Sequence, residues 1–255
     1  MMVFFVCFMV FAAGFVDSIA GGGGLISLPA YLMTGYPIHQ MLGTNKTSST
    51  WGTLVSTIQY FKHGQIHLPS ALLSAAFALI GSYLGASVSL LFDSRSLKII
   101  VVILLPVVSL ILTKSLQYKK KKAQTAAVNA VFNITKQVLA ACALLGFGIG
   151  FYDGMLGPGT GTFLIIGYSA LGFSLTTASG NAKVVNLCSN IAAFTRFFLS
   201  GNIIWTLALP AAVCGIAGNF LGSRLAIKKG EQIIRPLVYG MVLIVFITFI
   251  SDLFF

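Results

Sequence analysis

The chain carries one pattern twice. Gly14, Phe15, Asp17, Gly21, Gly23 and Leu28 recur 136 positions later as Gly150, Phe151, Asp153, Gly157, Gly159 and Leu164. After a one-residue slip the spacing becomes 137 and pairs Tyr31 with Tyr168, Gly35 with Gly172, Gly43 with Gly180, Lys46 with Lys183, Gly64 with Gly201, Gly81 with Gly218 and Gly85 with Gly222. Shared apolar composition alone would not bring glycines, an aspartate and a lysine into register. A duplication of this kind in an apolar chain points to two membrane repeats with a functional site where they meet.

The chain is 57% hydrophobic and only 8% charged. Its apolar residues fall into runs near 2–17, 24–36, 45–61, 68–92 and 98–116, then 134–151, 160–174, 181–199, 203–226 and 235–254. Most of these approach or reach the length of roughly 18 residues that crosses a bilayer. The fold expected is therefore an all-α, polytopic helical membrane protein with two homologous halves: residues 1–116, a basic linker at 117–133, and residues 134–255. Glycines at small-xxx-small spacing, Gly81 with Gly85 and Gly218 with Gly222, read as close helix packing. Cys7, Cys142, Cys188 and Cys214 lie singly inside apolar runs and read as packing residues rather than metal or redox groups. The first apolar run has no basic leader and reads as a retained membrane segment.

A net charge of +11 would suggest a nucleic-acid partner for a soluble protein, but here it sets topology. Lys62, Lys114 with Lys119 to Lys122, and Arg224, Lys228, Lys229 and Arg235 cluster near the ends of apolar runs. The positive-inside rule counts such residues, and it places the linker in the cytoplasm. Anionic lipid is a weaker second reading of the lysine run. The first two runs of each half are short and divided by a glycine-rich turn, so each pair reads as two thin spans, a re-entrant hairpin or one broken helix. The charge distribution favours the folded-back arrangements, hence inverted repeats with both termini outside.

Polar residues that break the runs locate the chemistry. The first half supplies Asp17, Ser18, Thr44, Asn45, Lys46, Thr47, Ser48, Ser49, Thr50 and Gln59; the second supplies Asp153, Thr160, Thr162, Ser179, Asn181, Lys183, Asn186, Ser189, Asn190 and Arg196. Ionisable groups inside a membrane are costly, and those that remain are functional or paired. Glycine-rich turns leading into helices, at Gly21 to Gly24 and Gly157 to Gly161, present backbone N–H groups to an anion. Lys46, Lys183, Asn45, Asn181, Thr44, Gly22, Gly23, Gly159 and Thr160 are therefore the candidate binding residues for a small oxyanion. A structural alternative pairs Lys46 with Asp153 and Lys183 with Asp17, and the two aspartates are also candidates for carrying a proton. The asparagines of the two lysine blocks, Asn45 and Asn181, are one position out of register, which argues against a fully symmetric site.

Arg196 reads as a snorkelling residue. His39, His63 and His67 read as surface residues of short connections, and Trp51 and Trp205 as interface anchors or packing residues. No metal site or cofactor is expected, and no P-loop is present, so any transport would draw on substrate or proton gradients. No nucleophile, paired carboxylate or metal-ligand cluster points to an enzyme. A passive anion channel and a membrane anchor for a soluble partner are the competing readings. A second copy of the chain is an admissible partner, as a homodimer.

The blocks GFVDSIAGGGGLISLPAYLMTGYP, LGTNKTSS and FKHGQI, with their echoes GFYDGMLGPGTGTFLI, SGNAKVVN and FLSGNI, resemble the sulfite exporter TauE/SafE family of membrane permeases. The resemblance spans nearly the whole chain outside the linker. It implies a multi-pass protein of the bacterial inner membrane that exports small sulfur-containing anions such as sulfite, thiosulfate or organosulfonates.

Overall fold

The computed structural model describes residues 2–93, 96–97 and 135–240. The linker at 117–133, the run at 98–116 and most of the run at 235–254 lie outside the described residues. Every regular element described is a helix: α1 (Met2–Ala20), α2 (Gly24–Leu32), α3 (Ile38–Lys62), α4 (Leu68–Ser89), α5 (Lys136–Met155), α6 (Thr160–Ala170), α7 (Leu175–Leu199) and α8 (Trp205–Lys229). Residues 231–240 are helical as well. The register seen in the sequence carries over element by element, matching α1–α4 to α5–α8.

Local chemistry accounts for the boundaries. Thr135 and Ser174 cap α5 and α7 by accepting the backbone N–H groups of Val138 and Thr177. Pro37 precedes α3. The turns that close α3 and α7 both need a left-handed residue, and the matched glycines Gly64 and Gly201 supply it at φ +65° and +71°.

Within each half the short second helix folds back along the first. Gly23 sits against the Ala13 carbonyl, and Tyr31, further along α2, shares a cluster with Val6 and Val10 near the start of α1. The second half repeats this, with Tyr152 and Phe163 rings 5.5 Å apart and Gly167 against Leu145. Contacts therefore run in reverse order along each pair. Each pair is a helical hairpin, and the single broken helix is excluded.

The halves are interleaved rather than side by side. In α8, Gly218 rests on Phe11 and Phe15, and Gly222 on Phe15 and Ser18; these contacts advance together, so α8 runs parallel to α1. Gly81 and Gly85 of α4 make the equivalent approach to Phe147, Phe151 and Met155 of α5. In both pairs a Cβ would fall on a backbone atom of the neighbour, which explains the small-xxx-small spacing.

At the centre α3 crosses α7. Lys46 and Thr53 bond Asn190, while Thr57, a turn further on, bonds the Lys183 carbonyl, so these two equivalent helices run antiparallel. Among the described residues four helices, α1, α4, α5 and α8, are long and apolar enough to cross a membrane. The more polar α3 and α7, 25 residues each and about 37 Å long at 1.5 Å per residue, pack against them and bury Thr44, Asn45, Lys46, Asn181, Lys183 and Asn190. The molecule thus has apolar helices around a polar central pair.

Candidate functional site

The two hairpin tips meet. A Cβ on Gly21 would fall on the backbone of Gly161, and one on Gly24 would lie 3.1 Å from Pro158 Cα. At Gly21 glycine is required for conformation as well as space, and Gly22, Gly157 and Gly159 share its positive φ, between +72° and +92°. Helices α2 and α6 both begin at this junction, so their positive dipole ends share it.

Each tip carries an aspartate, and each aspartate takes a lysine from the other half. Lys46 Nζ lies 2.7 Å from Asp153 Oδ1, and Lys183 Nζ lies 2.6 Å from Asp17 Oδ2. The structural alternative raised by the sequence is thus the arrangement found, and the pairs cross between the repeats. Two cations and two carboxylates sum to zero, so the folded site has no uncompensated buried charge.

The pairs differ in their surroundings. Asp153 also accepts the Thr160 hydroxyl at 2.7 Å and the Ser189 hydroxyl, and its side chain is 4% exposed. Among the described residues the Asp17 carboxylate instead accepts only the Gly23 N–H, at 3.1 Å, besides its lysine, and it is 19% exposed. The repeat positions explain this: Thr160 and Ser189 correspond to Gly24 and Gly52, which have no hydroxyl. Lys46 differs from Lys183 in the same way, since it also donates to Asn190 Oδ1 at 3.2 Å.

Between the tips and α3, α7 and α8 lies a cleft of about 50 Å³. A buried water needs about 10–15 Å³, so this conformation holds a few waters or one small ion and excludes a bulky ligand. Of the predicted binding residues, Gly22, Gly23, Asn45, Lys46, Gly159 and Thr160 line it, together with Asp17 and Asp153. Lys183, Thr44 and Asn181 do not. Lys183 is fully buried behind Asp17. Thr44 Oγ1 accepts the Ile204 N–H at 3.0 Å and Asn181 Oδ1 accepts the His67 N–H at 2.8 Å. These matched residues fasten the start of α8 and of α4, each in the opposite half.

Asn186, Asn190 and Asn219 also line the cleft. The first two were visible as polar breaks in an apolar run. Asn219 stands alone beside Gly218, and only its cost within a membrane helix could have marked it. Arg196 Nε donates to Ser87 Oγ at 2.9 Å, tying the end of α7 to α4. His39 lies in the first turn of α3 rather than in a connection.

The family described as Sulfite exporter TauE/SafE matches residues 6–249. Among its relatives, the probable membrane transporter protein ORF9 of Sinorhizobium sp is 35% identical over 95% of this chain and 90% of its own length. A probable membrane transporter protein of Haemophilus influenzae is 34% identical over 91% and 88%. The probable membrane transporter protein YfcA of Escherichia coli K12 is 32% identical over 91% and 83%. No solved structure matches the chain. On its fold, its buried site and these matches, the chain belongs to the TauE/SafE sulfite exporter family and is a multi-pass transporter of the bacterial inner membrane.

Proposed function

We propose that this transporter exports a small sulfur-containing oxyanion, such as sulfite, by alternating access of two inverted repeats about the cleft between the hairpin tips. The observation that carries this reading is the meeting of two glycine tips, two helix N-termini and two crossed Lys–Asp pairs around one cleft. The antiparallel course of α3 and α7 supports inversion, because equivalent elements of inverted repeats cross the membrane in opposite senses. The sulfur chemistry and the outward direction come from the family's description.

Charge balance suggests how the site works. An arriving anion adds a negative charge to a cluster that is already neutral. A proton taken by Asp153 frees Lys46 from its partner, and the freed ammonium, which lines the cleft, then faces the anion beside the backbone N–H groups of the tip. When the proton and the anion leave together, the pair closes again. For a monoanion a transporter of this kind is electroneutral, and it follows the combined substrate and proton gradients.

Proteoliposomes test this with labelled sulfite, chloride as the control anion and protein-free vesicles as the blank. Saturable sulfite uptake is expected, with little chloride flux, and an acidic exterior should drive accumulation that a protonophore collapses. Saturable uptake indifferent to the pH gradient would remove the proton step. Absence of saturable oxyanion flux would remove the anion reading, and unitary currents in a planar bilayer would mean a channel.

A further inference from the structure

The cleft is built to hold more than negative charge. Its lysine and hairpin tips offer donors, yet two of its carboxamides offer acceptors that nothing among the described residues uses. Asn219 and Asn186 are each 5% exposed and line the cleft, and the Oδ1 of each has no hydrogen-bond partner among the described residues. The orientation of Asn219 is fixed, since its Nδ2 donates to Gly215 O at 2.9 Å. Turning the amide would set two oxygens face to face. Asn186 lies beside the second tip, where a Cβ on Gly161 would come within 3.0 Å of its Nδ2.

An unpartnered buried acceptor is costly, so such groups are kept where a ligand or a water completes them. The repeats also differ at these two positions. Asn219 corresponds to Ser82, whose hydroxyl is satisfied by the Ser189 carbonyl at 2.6 Å, and Asn186 corresponds to Ser49. Half one therefore places serines where half two places carboxamides.

We infer that Asn219 and Asn186 select an oxyanion that still carries an O–H or N–H hydrogen, accepting that hydrogen while Lys46 and the tips hold the anionic oxygens. The inference rests on the oxyanion reading above and narrows it. A monoprotonated acid anion such as hydrogensulfite satisfies donors and acceptors at once. An anion with no hydrogen leaves both carboxamides unmatched and desolvated on binding, and a site built around a hydrogen bond rejects such analogues strongly.

Bicarbonate and nitrate separate these cases. Both are small planar monoanions of four heavy atoms, and only bicarbonate carries a hydroxyl. In competition with labelled sulfite uptake by the full-length protein, bicarbonate is expected to inhibit at concentrations at least about tenfold lower than nitrate. Asn219→Leu, which keeps the volume and removes the acceptor, should abolish the difference, and Asn219→Asp, which keeps an acceptor, should retain part of it. Where Asn219→Leu does not yield folded protein, Asn186→Leu serves in its place. Equal competition by the two anions, no competition by bicarbonate, or an unchanged ratio in the folded variants would overturn the inference and assign the carboxamides to water. Saturable sulfite uptake with no discrimination removes this inference alone; absence of sulfite uptake removes the oxyanion reading and the inference with it.

Discussion

At the residue scale, the crossed ion pairs govern what substitutions do. Lys183 is fully buried against Asp17, so Lys183→Gln leaves the partly buried Asp17 carboxylate without its counter-charge. Removing one partner of a buried pair costs about 3–5 kcal/mol, and thermal unfolding in detergent should show a loss of that order. Lys183→Gln combined with Asp17→Asn should recover most of it, because the pair is then removed as a unit. Thr44 and Asn181 behave differently. Asn181→Ala unfastens the His67 N–H and should cost about 1 kcal/mol while leaving the affinity for the transported anion unchanged, as saturation of uptake would show. The charged residues were legible in the sequence because identity at matched repeat positions singled them out. The roles of Thr44 and Asn181 were not, since one position along a helix turns a side chain by about 100° and so moves it from the cleft to a neighbouring backbone.

Among the elements, glycines set which helices touch. The small-xxx-small spacing announced close packing from sequence alone, but not the partner, and the partners lie in opposite halves. That exchange depends on the three-dimensional course of the chain, which local patterning does not encode. Gly85 backs onto the Phe151 carbonyl, whereas a Cβ on Gly148 would meet nothing within 4 Å. Gly85→Leu should therefore prise α4 from α5 and lower stability by about 1–3 kcal/mol, with Gly148→Leu close to wild type; melting temperatures of the two purified variants provide the comparison. The hairpins show the same limit. Glycine-rich turns marked the break between α1 and α2, yet only tertiary packing, Tyr31 against Val6 and Val10, decides that the chain folds back.

For the whole molecule, the proposed motion separates and rejoins the two tips. Gly24 and Pro158 are close enough to be joined, and cysteines placed at both, in a chain whose four native cysteines have been replaced, should form a disulfide. Oxidation is expected to stop uptake and reduction to restore it. Uptake that continues in the cross-linked protein would show that the tips do not part during transport. The central claim is that Lys46, in its pair with Asp153, holds the anion, and the most direct measurement is labelled sulfite uptake by Lys46→Gln/Asp153→Asn, in which the pair is neutralised without leaving a lone buried charge. Folded, monodisperse protein with saturable uptake lost is the result expected. Folded protein with wild-type uptake would contradict the claim and make the ion pair a purely structural bond.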